Sequence, residues 1–146
     1  MLRGSTLATM DDKGRLKVPT DFRRVLEERY GPEFFVTSVT GEKVLLYPLP
    51  VWEEIEGKLS GLPATDPVRQ RFLDRVSYFG AQVKLDGQGR LLLPTVLRER
   101  AAMAGEVIVS AQIDHLEIWN RERFERRLVD HPFTDDDFRT LAERGI

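Results

Sequence analysis

The sequence predicts an α+β, β-rich fold assembled from two tandem copies of one unit, with flanking helices. Three observations predict it. Met10-Asp11-Asp12-Lys13-Gly14-Arg15-Leu16-Lys17-Val18-Pro19-Thr20 recurs without a gap, 75 residues later, as Leu85-Asp86-Gly87-Gln88-Gly89-Arg90-Leu91-Leu92-Leu93-Pro94-Thr95. Val44-Leu45-Leu46-Tyr47 recurs as Leu116-Glu117-Ile118-Trp119, with Trp52 opposite Phe124, at an offset of 72. Between these landmarks, short apolar runs are punctuated by Gly, Pro and Asp, which is the pattern of strands and turns. Two collinear matches with one short deletion between them define a duplicated unit.

Each copy reads in the same order. A strand (6–10; 81–85) enters an Asp-x-x-Gly-Arg turn and a second strand (15–18; 90–93) leaves it, as in a hairpin. Gly14 and Gly89 supply the positive φ of such a turn, and Asp11 and Asp86 can bond to its backbone. Pro19 and Pro94 lack an N–H, so they end the pairing and suit a helix start. The first helix carries Phe22, Val25, Leu26 and Tyr30 on one face and stops at Gly31-Pro32; its counterpart carries Leu97, Ala101 and Ala104 and stops at Gly105. Two more strands follow in each copy (34–39 with 43–47; 106–111 with 115–119). A short helix closes each unit, bearing Trp52, Ile55 and Leu59, then Phe124 and Leu128.

Four segments are therefore expected: a first repeat at 1–62, a connector helix at 63–80, a second repeat at 81–128, and an acidic C-terminal tail or helix at 129–146. Asp66 before Pro67 starts the connector helix, whose inner face holds Val68, Phe72, Val76 and Phe79. In the tail, Thr134 and Asp135-Asp136-Asp137 precede Phe138, Leu141 and Ala142, the order of an acidic helix start.

The composition is that of a globular domain, with 41% hydrophobic and 32% charged residues in 146. There is no Cys, which excludes disulfides, thiolate metal sites and cysteine nucleophiles. No apolar run reaches the length of a membrane span and no secretion signal is evident, so a cytoplasmic protein without a membrane partner is expected. The formal net charge of −2 argues against a generic nucleic-acid binder. Charge alternates along the chain, however: residues 1–24 and 61–104 are net basic, and 25–60 and 105–146 are net acidic. Any DNA surface is then a focused basic patch on an acidic body.

The arginines after the turn glycines carry that patch. A guanidinium beside a hairpin tip, present in both copies, can pair bidentately with phosphate or with guanine O6 and N7. The competing arrangement is an Arg–Asp pair inside the turn. Alternation exposes Lys17 beside Arg15, with Lys13 at the tip. Copy two has Gln88 and Leu92 at those positions, so copy one is the stronger reader. Leu92 then faces either a neighbouring subunit or this chain's own helices. Arg69 and Arg71 on the connector helix are secondary candidates for phosphate contact.

Other chemistry finds no support. Gly87-Gln88-Gly89 lacks the third glycine and the following helix of a dinucleotide loop, so no cofactor is expected. His115 and His131 are isolated, no metal-ligand spacing occurs, and no serine sits in a nucleophile elbow. Tyr47, Trp52, Trp119 and Phe124 fall at packing positions of the repeat.

Taken together, Met1-Leu2-Arg3-Gly4, the two Asp-x-x-Gly-Arg turns, Leu46-Tyr47-Pro48-Leu49-Pro50-x-Trp52-Glu53 and Leu116-Glu117-Ile118-Trp119 resemble the MraZ family, over roughly residues 1–128. That family is related to the AbrB/SpoVT swapped-hairpin DNA binders. The resemblance implies two AbrB/SpoVT-like half-domains intertwined as an intrachain pseudo-dimer, a double-split β-barrel. It implies a transcriptional repressor, cytoplasmic and nucleoid-associated, that binds double-stranded DNA at short repeated boxes in the promoter of the bacterial division and cell-wall gene cluster. It also implies a homo-oligomeric ring. DNA-binding character carries over onto Arg15, Lys13, Lys17 and Arg3, with Arg90 as the second-copy counterpart. The alternative is a protein-interaction module similar to swapped-hairpin antitoxins. No enzymatic activity and no small-molecule substrate are expected.

Overall fold

The computed structural model describes residues 2–146, so Met1 of the motif quoted above lies outside the described residues. The first copy comprises β1 (Ser5–Thr9), β2 (Arg15–Lys17), α1 (Thr20–Tyr30), β3 (Glu33–Thr37), β4 (Val44–Pro48) and α2 (Leu49–Ser60). The connector helix α3 (Pro67–Tyr78) leads to β5 (Ala81–Lys84), β6 (Arg90–Leu92), α4 (Thr95–Arg100), β7 (Glu106–Ala111), β8 (Leu116–Asn120) and α5 (Arg121–Asp130), and α6 (Asp135–Glu143) follows. The class is α+β and the repeated units are evident in the matching element order.

The strands form an antiparallel six-stranded sheet, ordered β1-β7-β8-β4-β3-β5, and a separate two-stranded ribbon, β2-β6. Each copy donates its first strand to the other. β1 lies on β7, with Thr9 opposite Glu106, and β5 lies on β3, with Lys84 opposite Glu33. These two registers are equivalent under the repeat. The copies meet again at the centre, where β4 pairs with β8 and Leu45 faces Glu117. The result is an approximate two-fold within one chain.

This corrects the hairpin reading. One isolated bridge, from Met10 just after β1 to Leu16 of β2, links the two strands locally, and each strand's ladder is made with the opposite copy. The turn glycines join the exchange: Val18 N–H donates to the Gly89 carbonyl at 3.0 Å, and Leu93 N–H to the Gly14 carbonyl at 3.3 Å. Nor do the strands close into a barrel, because β1 and β5 stand at the two ends of an open sheet.

One apolar core serves both copies. Leu16 and Leu91 enter it from the ribbon, Leu26 and Leu97 from α1 and α4, and Phe34, Val44, Leu46, Val107, Leu116 and Ile118 from the sheet. All ten are essentially inaccessible to solvent. A fully buried residue of this kind contributes about 1.5–3 kcal/mol relative to exposure. Neither copy can retain this core alone.

The connector helix begins as its sequence predicts, with the Asp66 carboxylate accepting from Val68 N–H at 2.8 Å and Arg69 N–H at 3.2 Å. It is fixed by Thr37, whose buried hydroxyl donates to the Val76 carbonyl at 2.8 Å, and by Phe72 stacking on Trp52. Three expected core positions are instead exposed: Val68, Ala104 and Leu128. α4 is only six residues long, so the chain turns before Ala104 and Met103 takes the buried place. In α6 the predicted start is realised as a reciprocal cap between Thr134 and Asp137. Phe133 and Phe138 pack edge to face beside it, yet both remain largely solvent-accessible.

Candidate nucleic-acid interface

The ribbon pairs Arg15 with Leu92, Leu16 with Leu91, and Lys17 with Arg90. Cross-strand partners point to the same side and successive residues alternate. Leu16 and Leu91 therefore fill the core, and Arg15, Lys17, Arg90 and Leu92 share the outer face. Strand exchange thus brings three cations from two distant sequence segments onto one short surface. Sequence reasoning placed Arg15 and Arg90 on separate hairpins. The structure joins them through a common ribbon.

Each turn is built around its aspartate. One Asp11 oxygen accepts from Lys13 N–H at 3.0 Å and Arg15 N–H at 2.8 Å, and the other accepts from the Arg15 Nε–H at 2.8 Å. Asp86 repeats this with Gln88 N–H, Arg90 N–H and Arg90 Nε at 2.9, 2.9 and 2.7 Å. Hydrogen bonds to the ionised form favour it. The Arg90 backbone N–H, helped by the Arg90 guanidinium and the Gln88 N–H, outweighs desolvation and lowers the Asp86 carboxyl to about 2. Asp11 is lowered by the same contacts, led by the Arg15 backbone N–H.

The Arg–Asp pair named as the competing arrangement is thus formed in both turns, and neither arginine extends freely. The aspartate takes only Nε, however. The Arg15 and Arg90 side chains keep 27% and 29% of their exposure. A guanidinium held at Nε keeps its two terminal nitrogens for a second acceptor, and its tether lowers the entropy lost on engaging one. The turn aims each arginine.

Two further arginines, absent from the sequence reading, complete the turns. Gly14 and Gly89 are buried. A Cβ at Gly14 would collide with the Arg98 guanidinium, and a Cβ at Gly89 would lie 2.7 Å from Arg23 Nη1. Each turn is therefore covered by an arginine on the helix of the opposite copy. Arg23 and Arg98 are repeat equivalents, a signal that was available in the aligned copies. Their surroundings differ. Arg23 Nε donates to Glu27 at 3.1 Å, whereas Ala102 holds the place of Glu27 in copy two. No carboxylate pairs with the Arg98 side chain among the described residues.

The first turn consequently gathers Lys13, Arg15 and Arg98 against Asp11 and Asp12, and the second gathers Arg90 and Arg23 against Asp86 and Glu27. One net positive charge remains at the first and none at the second. Lys17 is exposed beside Thr6–Thr9, and Arg3 lines the adjoining groove with Pro19, Thr20 and Arg24. Arg69 and Arg71 lie apart on α3, where Arg69 is anchored to the Leu62 carbonyl at 2.7 Å and the Arg71 carbonyl receives Arg75. The structure gives them no link to the ribbon among the described residues. Leu92 is 60% exposed, so this chain's own helices do not cover it. Among the described residues no cluster of metal-ligating side chains occurs, and no helix is long and apolar enough to cross a membrane.

A strand-exchanged tandem repeat that displays an arginine–lysine ribbon defines the class of this molecule. The chain matches the family described as "MraZ protein, putative antitoxin-like" over residues 1–75 and 80–144, and it belongs to the MraZ family. It is 44% identical to the transcriptional regulator MraZ of Acidobacterium capsulatum over 146 residues, the whole of both chains. It is 43% identical to that of Koribacter versatilis over 147 residues, again the whole of both. The protein of the same name from Escherichia coli O127:H6 is 39% identical over 129 residues, covering 88% of this chain and 85% of that one.

Proposed function

We propose that this protein is a sequence-specific, DNA-binding transcriptional repressor whose reading surface is the β2-β6 ribbon with its two turns. The single observation that carries this is the shared outer face of Arg15, Lys17 and Arg90, flanked by Arg98 and Arg23. A two-stranded ribbon fits the major groove of B-DNA, and a guanidinium there pairs with guanine O6 and N7. Arg15 and Arg90 read base edges, whereas Lys13, Lys17, Arg98 and Arg3 hold phosphates and fix the register. The relatives' common name, transcriptional regulator, supports the role.

The family resemblance supplies the expected target, short repeated boxes ahead of the division and cell-wall genes, and a ring of copies, cytoplasmic and nucleoid-associated. A ribbon with few cations binds one box weakly and with strong salt dependence. Several ribbons on one duplex raise the apparent affinity by roughly 10²–10⁴ without new contacts. This accounts for specific binding by a chain whose net charge is −2. In this reading 1–62 and 81–128 act as the paired reading units, 63–80 joins them, and 129–146 is an accessory tail.

Titrating duplexes selected from a random pool, at two salt concentrations, tests the reading. Arg15→Ala is expected to cost about 1–3 kcal/mol per engaged ribbon and relax the base preference. Lys17→Ala is expected to weaken binding to all sequences alike. An Arg15→Ala protein with full affinity and selectivity refutes the assignment. A second reading, a module that docks a small protein partner, is favoured by the exposed Phe133 and Phe138 of the tail and by the family's antitoxin-like description. A stoichiometric partner released by deleting 131–146, with DNA selection absent, would establish it instead.

A further inference from the structure

We propose that Leu92 reads a thymine: its side chain packs on the 5-methyl group of the base beside the one read by Arg15. The inference rests on the DNA-binding reading above and names a specificity residue within it. Leu92 occupies the position that Lys17 holds in the other copy. Its strand neighbour Leu91 turns inward and is fully buried, while Leu92 turns outward and is 60% exposed, so core packing does not require a leucine here.

An isolated exposed leucine is ordinary. The setting of this one is not. Arg15 lies directly across the ribbon from it, Arg90 is two residues back on the same face, and Lys17 stands opposite Arg90. An apolar protein surface laid over Leu92 would have to desolvate Lys17 and the terminal nitrogens that Arg15 and Arg90 keep beyond their pairs with Asp11 and Asp86, with nothing to replace the lost water. The major groove satisfies both demands at once. Its phosphates and guanine edges take the cations, and the thymine methyl is the apolar group exposed on its floor. The cross-strand spacing of side chains, about 4.5–5.5 Å, lets Arg15 and Leu92 address neighbouring bases. The ribbon face then has a direction, with Arg15 and Leu92 at one end and Lys17 and Arg90 at the other.

The test uses the full chain and a duplex that it selects from a random pool. Each thymine is replaced singly by deoxyuridine, which removes only the methyl group. For the unaltered protein, one position is expected to lose roughly 3- to 10-fold in affinity, the scale of burying one methyl. Leu92→Ala is expected to bind the thymine and deoxyuridine duplexes equally, while still losing its guanine preference when Arg15→Ala is added. Leu92→Lys is expected to bind more tightly at low salt, with steeper salt dependence and no thymine preference. If Leu92→Ala keeps the thymine-to-deoxyuridine ratio of the unaltered protein, the proposal is overturned. So it is if that substitution changes the sedimentation mass and leaves the ratio intact, which makes Leu92 a subunit contact. Failure of the unaltered protein to select any duplex sinks the DNA-binding reading itself, and is distinct from both.

Discussion

Arg98, on the helix of the second copy, closes over Gly14 in the turn of the first, and no carboxylate is paired with it among the described residues. Its repeat equivalent Arg23 closes over Gly89 but is paired with Glu27. One two-fold framework thus carries two electrostatically different turns. Arg98→Ala is expected to weaken DNA binding uniformly across sequences and to lower the salt slope by about one unit. Arg23→Ala is expected to do less, because Glu27 already offsets its charge. Titrations of both variants over a salt series check this, and equal effects would contradict the asymmetry.

The same contact sets the cost of altering the turn. Gly14 sits at φ +78°, a left-handed conformation that an L side chain adopts at a cost of about 1–2 kcal/mol. An added Cβ also displaces the end of the flexible Arg98 side chain. Gly14→Ala should therefore lower stability by about that much and reduce DNA affinity further, whereas Gly57→Ala, within α2 and with open space at its Cβ, should raise stability slightly. Chemical denaturation of the two variants distinguishes these directions.

Much of this arrangement was legible in the sequence. The offset between the copies gave the repeat, and the Asp-x-x-Gly-Arg pattern gave turns whose aspartates bond to the backbone as expected. The exchange between copies was implied by the family resemblance, with its intertwined half-domains, but the individual strand partners were not legible in the residues themselves. Apolar alternation states which side of a strand is buried but not which strand lies beside it, so β1 and β2 read as a local hairpin although each pairs across the copies. Helical periodicity likewise defines an apolar stripe without what covers it, which is why Val68 and Leu128 were expected inside and lie outside. Arg23 and Arg98 were missed because they reach the turns only through the exchange.

Acid should loosen the turns in a defined window. The Asp86 carboxyl, held by Arg90 and Gln88, ionises near 2 instead of its usual 3.8. A carboxylate depressed on folding adds stability above its unfolded value, and that stability is lost as pH falls from 3.8 towards 2. Asp86→Asn keeps an acceptor oxygen for the backbone but cannot titrate. Its thermal midpoint should be lower than that of the unaltered protein at neutral pH, and the two should converge as the pH approaches 2. Parallel curves through that window would show that the carboxylate charge does not hold the turn.

The two faces of the ribbon give opposite responses to the same chemical change. Leu16 is fully buried beneath it, in contact with a core shared by both copies, and Leu92 stands on the surface above. Leu16→Ala removes apolar contacts and leaves a cavity, at a cost of about 2–5 kcal/mol. Leu92→Ala removes little buried area and should stay within about 0.5 kcal/mol of the unaltered protein. Because the core couples the copies, the Leu16 variant should unfold in one transition at lower denaturant, not lose the first repeat alone. Equilibrium unfolding followed by Trp52 and Trp119 fluorescence, one probe in each copy, reads this directly: coincident curves are expected, and separate midpoints would mean that the two copies fold independently despite the exchanged strands.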